Sequence, residues 1–272
     1  MFKNVILCRH NLGQRLKDVS NSPDILSKYI NKNINIIDSN CNTKFNKSIE
    51  NIFITNKEVI GPRINIGGDH SITIGTGAAS LERNKNTKFI WFDAHADLNT
   101  FESSLTKNYH GMVLGYLSGL AKHPPFSFIT KHMDLNNLMY IGLRSTDEYE
   151  SKIINENKIP VLRSRICNND TNSVIEKIKE FVKDEEVHIS FDVDILDPRV
   201  LGSTGTAVPH GTNRSSTKMI INEILKDTNV TNLDICELNM SIGNKKMQER
   251  SLNTVLDIFD KSVFDKSLFS KK

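Results

Sequence analysis

The chain has 272 residues, 38% of them hydrophobic and 25% charged, which is ordinary for a water-soluble protein able to bury one large core. The net charge of +3 is spread along the chain without a basic block beyond pairs such as Lys245-Lys246 and Lys271-Lys272, so nucleic acid is an unsupported partner. Cys8, Cys41, Cys167 and Cys236 are widely separated and form no CxxC pair, which argues against a zinc knuckle or a disulfide framework and for a reducing, cytosolic compartment.

The amino-terminal apolar run is too short for a signal segment, and no stretch approaches the roughly 20 residues that span a bilayer. Short apolar runs follow in order: Val5 to Leu7, Ile34 to Ile37, Ile64 to Ile66, Phe89 to Phe92, Leu138 to Ile141, Ile189 to Val193 and Leu233 to Ile235. Consecutive apolar positions are the mark of strands buried on both faces. Helical spacing lies between them, as in Val174, Ile178 and Phe181, and again in Ile220, Ile224 and Leu225. After Leu252, the positions Leu256, Phe259 and Val263 predict a carboxyl-terminal helix packed on the sheet. Strand and helix in alternation predict right-handed crossovers and a parallel sheet with helices on both faces, an α/β fold in three layers. No linker, repeat or low-complexity block divides the chain, so residues 1–272 are expected to form a single domain.

The polar residues that end these runs carry the chemistry. In "IWFDAHADLNT" an apolar run ends in Asp93, His95 and Asp97, and in "HISFDVDILDP" another ends in Asp192 and Asp194. Their period of two would aim each set to one side if the backbone stayed extended. "INIGGDHS" delivers His70 after a third run. Ligand sites of open α/β sheets lie at the carboxyl ends of strands, where all three segments place these groups. Each piece alone reads as well as a turn cap or a structural histidine. Together, four carboxylates crowded with two imidazoles would repel one another unless divalent cations lay among them, and six such ligands fit two ions better than one.

These segments resemble the ureohydrolase family, and within it the arginases, whose signatures are GGDHS-type, DAHxDxN and SFDVDxxDP motifs. The similarity extends from "NLGQR" through "ELNMSIGNK". The resemblance implies the arginase/deacetylase fold with a parallel eight-stranded sheet, and a pair of Mn2+ ions. Asp93 and Asp192 would bridge them, His70 and Asp97 would complete one shell, and His95 and Asp194 the other. It implies hydrolysis of a guanidino compound, L-arginine first, to L-ornithine and urea. Asn99 and Thr100 stand where arginases carry Asn-Thr, and His110 lies 17 residues after Asp93, the family spacing.

Thr106 stands where the family uses Ser on the substrate carboxylate. Asp147 matches the α-amino contact, though the same residue could simply cap the following helix. Glu237 matches the Glu that grips the guanidinium, and Thr206 matches a nearby active-site Thr. Catalytic roles fall on Asp97 as proton carrier, His110 as shuttle and Glu237.

Ser145, Lys107 and His210 depart from the pattern, standing where Asp, Gly and Gly are usual. They keep open agmatine, another guanidino acid or formiminoglutamate as substrate. A non-catalytic binding or regulatory homologue is a third reading, opposed by the intact ligand set. The family also implies a homo-oligomer, a trimer or hexamer.

Overall fold

The computed structural model describes residues 2–123 and 125–269. Eight parallel strands form one sheet in the order β2-β1-β3-β8-β7-β4-β5-β6. They are β1 (Asn4–Cys8), β2 (Asn35–Asp38), β3 (Arg63–Gly67), β4 (Lys88–Phe92), β5 (Leu138–Ile141), β6 (Val161–Leu162), β7 (Glu186–Asp192) and β8 (Asn229–Cys236). The helices are α1 (Ser22–Ser27), α2 (Phe45–Glu58), α3 (Ile72–Arg83), α4 (Val113–Leu117), α5 (Glu148–Glu156), α6 (Ser164–Asn169), α7 (Thr171–Val182), α8 (Arg214–Asp227) and α9 (Lys245–Ile258).

Alternate strand residues feed two cores. Val5, Leu7, Ile64, Ile66, Ile90, Phe92, Ile189 and Phe191 meet Leu26 of α1, Ile178 of α7, Ile220 of α8 and Leu256 of α9 on one face. Ile6, Phe89, Trp91 and Tyr140 meet Ile49 and Ile52 of α2, Ile74 of α3 and Leu117 of α4 on the other. Burial on both faces explains the unbroken apolar runs of β1 and β4. Among the described residues, no helix is long and apolar enough to cross a membrane.

The structure corrects the sequence-based expectations at several points. β2 is an edge strand whose Ile36 is 52% exposed, and Ile34 precedes it. Val193 leaves β7 for a 3-10 turn, Val193–Ile195. The two-residue β6 carries too little sequence for an apolar run to be seen. α9 ends at Ile258; Phe259 and Val263 are buried beyond it, held by a non-helical turn.

His210 and Lys107, which replace glycines of the family pattern, both keep left-handed backbones, with φ of 64° and 58°. The loops therefore retain the glycine-like conformation despite the side chains. The Lys107 ammonium donates to the Phe101 carbonyl and lies over the Phe101 ring.

The loop after β1 contains a costly residue. His10 is 1% exposed, its ring tilts against Phe45, and neither ring nitrogen has a hydrogen-bond partner. Burial depresses its pKa, reinforced by Lys17 and opposed by Asp69. The unfolded chain therefore takes up this proton first as pH falls below about 6.5, and stability is lost on the acid side. His10→Phe is expected to raise stability by about 1–3 kcal/mol, the penalty of unpaired buried polar atoms, with a larger gain at pH 5 than at pH 8. Thermal melts of both proteins across that range test it; equal or lower melting temperatures for the variant would refute it.

Candidate active site

The carboxyl ends of β3, β4 and β7 meet at one edge of the sheet, and the six predicted ligands converge there. Nδ1 of His70 lies 3.2 Å from Asp93 Oδ2, 3.0 Å from Asp97 Oδ2 and 3.3 Å from Asp192 Oδ2. Nδ1 of His95 lies 3.0 Å from Asp194 Oδ2 and 3.5 Å from Asp93 Oδ1. Two triads result, His70–Asp93–Asp97 and Asp93–His95–Asp194, sharing Asp93.

Convergence does not come from an extended strand, as the period-two spacing suggested. β4 ends at Phe92, and Asp97 is left-handed with φ of 50°. That conformation is costly for a residue other than glycine, so the surrounding structure must enforce it. Asp192 ends β7 and caps the 3-10 turn that carries Asp194, accepting from its backbone N–H at 2.8 Å. Arg144 braces this turn from behind, donating to the carbonyls of Asp194 at 2.7 Å, Val208 at 2.9 Å and Pro209 at 3.1 Å.

The donor set fits cations. His70 Nδ1 and Asp93 Oδ2 are buried without a hydrogen-bond partner, although they face each other and further carboxylates. Burial and then Asp93 push Asp97 up to about 6, while burial, Asp194 and Asp93 push Asp192 well above the carboxylate range. Burial works against ionised Asp93 too, but His70 and His95 outweigh it and hold its pKa low. The His95 imidazole, opposed by burial, is raised to about 12 by Asp194 and Asp93. Four buried carboxylates that raise or compete for one another's protons, around two imidazoles and without thiolates, are a hard-to-borderline metal donor set.

A cavity of about 320 Å3 opens over this cluster, lined by His95, Asp97 and Asp192 together with Asn99, Thr106 and Asp147. Asp147 caps the helix that follows it. Its Oδ1 caps α5 by accepting from Glu150 N at 2.9 Å, in a capping box, while Oδ2 accepts from Asn99 Nδ2 at 2.7 Å. Ser103 Oγ donates to Asn99 Oδ1 at 2.6 Å and fixes the amide's orientation. Thr106 and Ser145 also line the cavity. Thr206 lines it while donating to Asp194 Oδ2 at 2.9 Å.

His110 and Glu237 form a pair, His110 Nδ1 to Glu237 Oε1 at 3.2 Å. Burial disfavours the imidazolium, but Glu237 prevails and raises His110 to about 9. Glu237 is 1% exposed and left-handed, with φ of 67°. Its Oε1 also accepts from the His70 backbone N–H at 2.8 Å, and its Oε2 from Gln14 Nε2 at 2.6 Å.

Gln14 escaped the sequence reading, although it lies within the quoted "NLGQR". Ser190, 2.7 Å from His70 Nε2, and Glu150, which accepts from Leu98 N at 3.1 Å, were also missed. Only tertiary contact marks them, because no local period distinguishes them from ordinary polar residues.

A parallel sheet carrying paired carboxylate–imidazole triads at its carboxyl edge defines an arginase-type ureohydrolase, a hydrolase acting on carbon–nitrogen bonds of linear amidines. The arginase family model matches residues 14–258. An arginase of Entamoeba histolytica is 34% identical over 72% of this chain and 68% of its own length. One of Schizosaccharomyces pombe is 34% identical over 72% of this chain, which spans 61% of that relative. The crystal structure of the Entamoeba histolytica arginase in complex with L-ornithine superposes with a TM-score of 0.85 and 28% identity, covering 95% of this chain and 99% of that one. The chain belongs to the arginase family.

Proposed function

We propose that the protein hydrolyses L-arginine to L-ornithine and urea at a centre holding two Mn2+ ions. The observation that carries the choice of substrate is that the polar residues Asn99, Thr106 and Asp147 line the same cavity as the ligand cluster. With the guanidinium at the cluster, the α-amino and α-carboxylate groups extend into the part of the cavity these residues line. The second amide N–H of Asn99 and the Thr106 hydroxyl supply donors, and the Asp147 carboxylate an acceptor, for them. The related arginase bound to L-ornithine, the expected product, supports the same reading.

His70, Asp93, Asp97 and Asp192 would hold one ion, and His95, Asp194 and the shared aspartates the other. Bound there, the cations supply Lewis acidity and make a water nucleophilic near neutral pH. The guanidinium replaces the His110 and Gln14 contacts of Glu237, because its paired planar N–H groups match a carboxylate. Asp97 accepts the proton of the attacking water and passes it to the departing δ-nitrogen. His110, which lines the cavity and is released from Glu237 by the guanidinium, carries protons to solvent. A cytosolic homo-oligomer belongs to this reading; the free, buried cysteines agree with a reducing compartment.

Ser145, in place of the usual Asp, favours keeping agmatine as the second reading. Urea release from arginine, agmatine and other guanidino acids by Mn2+-loaded protein decides between them. Arginine is expected to exceed agmatine by at least tenfold in kcat/KM. Equal turnover would remove the role given to Asn99, Thr106 and Asp147, and no urea from any of them would overturn the function.

A further inference from the structure

Where the central strands face α3, the sheet is polar. Asn65, His188, Ser190, Asn232 and Asp234 are all 0% exposed there, opposite Thr73 and Thr76 of α3. Buried polar groups at the middle of a core are costly unless they satisfy one another. Here they do. Asp234 Oδ1 accepts from Asn65 at 2.7 Å and Asn232 at 3.1 Å. Its Oδ2 faces His188 Nε2 at 3.0 Å and accepts from Thr73 Oγ1 at 2.7 Å and from Thr76. Thr73 Oγ1 lies 3.3 Å from Ser190 Oγ, and Ser190 Oγ lies 2.7 Å from His70 Nε2.

With every one of these contacts made, the hydrogens run one way. An ionised carboxylate only accepts, so Thr73 donates its hydroxyl to Asp234. The Thr73 oxygen then accepts from Ser190, and the Ser190 oxygen accepts from His70 Nε2–H. That tautomer leaves a bare lone pair on His70 Nδ1, the atom facing Asp93, Asp97 and Asp192.

We infer that Asp234, acting through Thr73 and Ser190, is a positioning residue that fixes the His70 tautomer and ring orientation and thereby sets the affinity of the His70 side of the metal centre. The inference rests on the metal-binding reading above. Groups that orient a ligating imidazole typically change metal affinity by about 10- to 100-fold when removed.

The test is calorimetric titration of the full, metal-free chain with Mn2+, for wild type, Thr73→Val, Thr73→Ala and Thr73→Ser, alongside thermal melts. Wild type is expected to bind two equivalents. Thr73→Val, or Thr73→Ala should the valine variant misfold, is expected to weaken one of them about 10- to 100-fold and spare the other. Thr73→Ser is expected to restore it. Loss of thermal stability in Thr73→Val or Thr73→Ala with both Mn2+ affinities intact would overturn the inference, as would failure of Thr73→Ser to rescue. A wild-type protein that binds no Mn2+ would overturn the metal reading itself, and the inference with it.

Discussion

Asp192→Asn is expected to make the metal-free protein more stable while sharply lowering its catalysis. Burial, Asp194 and Asp93 all raise the Asp192 pKa, so ionised Asp192 destabilises the metal-free fold. The sign follows from proton uptake: a carboxyl with a raised folded-state pKa costs stability once pH exceeds the unfolded value of about 3.9, and the cost grows until pH passes the folded value. An amide of the same shape removes this cost and can keep the 2.8 Å bond from the Asp194 N–H. It cannot supply the negative charge that cations require. A fall of about 10^3-fold in kcat/KM for guanidino hydrolysis is expected, the rate equivalent of several kcal/mol of lost electrostatic stabilisation. Melting curves with and without Mn2+ should cross: the variant melts higher without metal, and only wild type gains on adding it. A variant that melts lower without metal, or that keeps wild-type Mn2+ stabilisation, would contradict the charge-crowding account.

Glu237→Gln is the second large effect. The carboxylate gathers the His70 backbone N–H, His110 Nδ1 and Gln14 Nε2 on two oxygens. A glutamine offers one acceptor oxygen and turns an N–H pair toward groups that are already donors, so it cannot receive a guanidinium in a planar two-point contact. A loss of about 10^2- to 10^3-fold in kcat is expected, similar to removing one preorganised charge-stabilising group. A second readout is independent of turnover. His110 is held at about 9 chiefly by Glu237 against the opposing effect of burial, so its titration should fall in the variant. Nuclear magnetic resonance of the His110 ring would read this; an unchanged titration would show that another group charges it.

Much of the site could be read from the sequence because its ligands are tied to short segments. An Asp or His at the end of an apolar run stands out, as Asp93 and His95 do after β4 and Asp192 does at the end of β7. Helices α7 and α8 were likewise visible, since their apolar stripes repeat at the helical period. β2 misled because an edge strand can share the apolar composition of a central one; only its neighbours reveal that Ile36 is exposed.

What the sequence by itself determined is therefore local: which segments extend, which coil, and which residues are delivered to strand ends. The order β3-β8-β7-β4 was decided by tertiary structure, and it is what brings His70, Asp192 and Asp93 into one cluster from distant parts of the chain. The same packing decided that Asp97 turns left-handed, that Gln14 reaches Glu237, and that Asp234 stands behind His70 through two hydroxyls. Backbone period reports where a side chain leaves its own segment. Its partner across the fold depends on strand order and helix seating, which are set by the whole core at once.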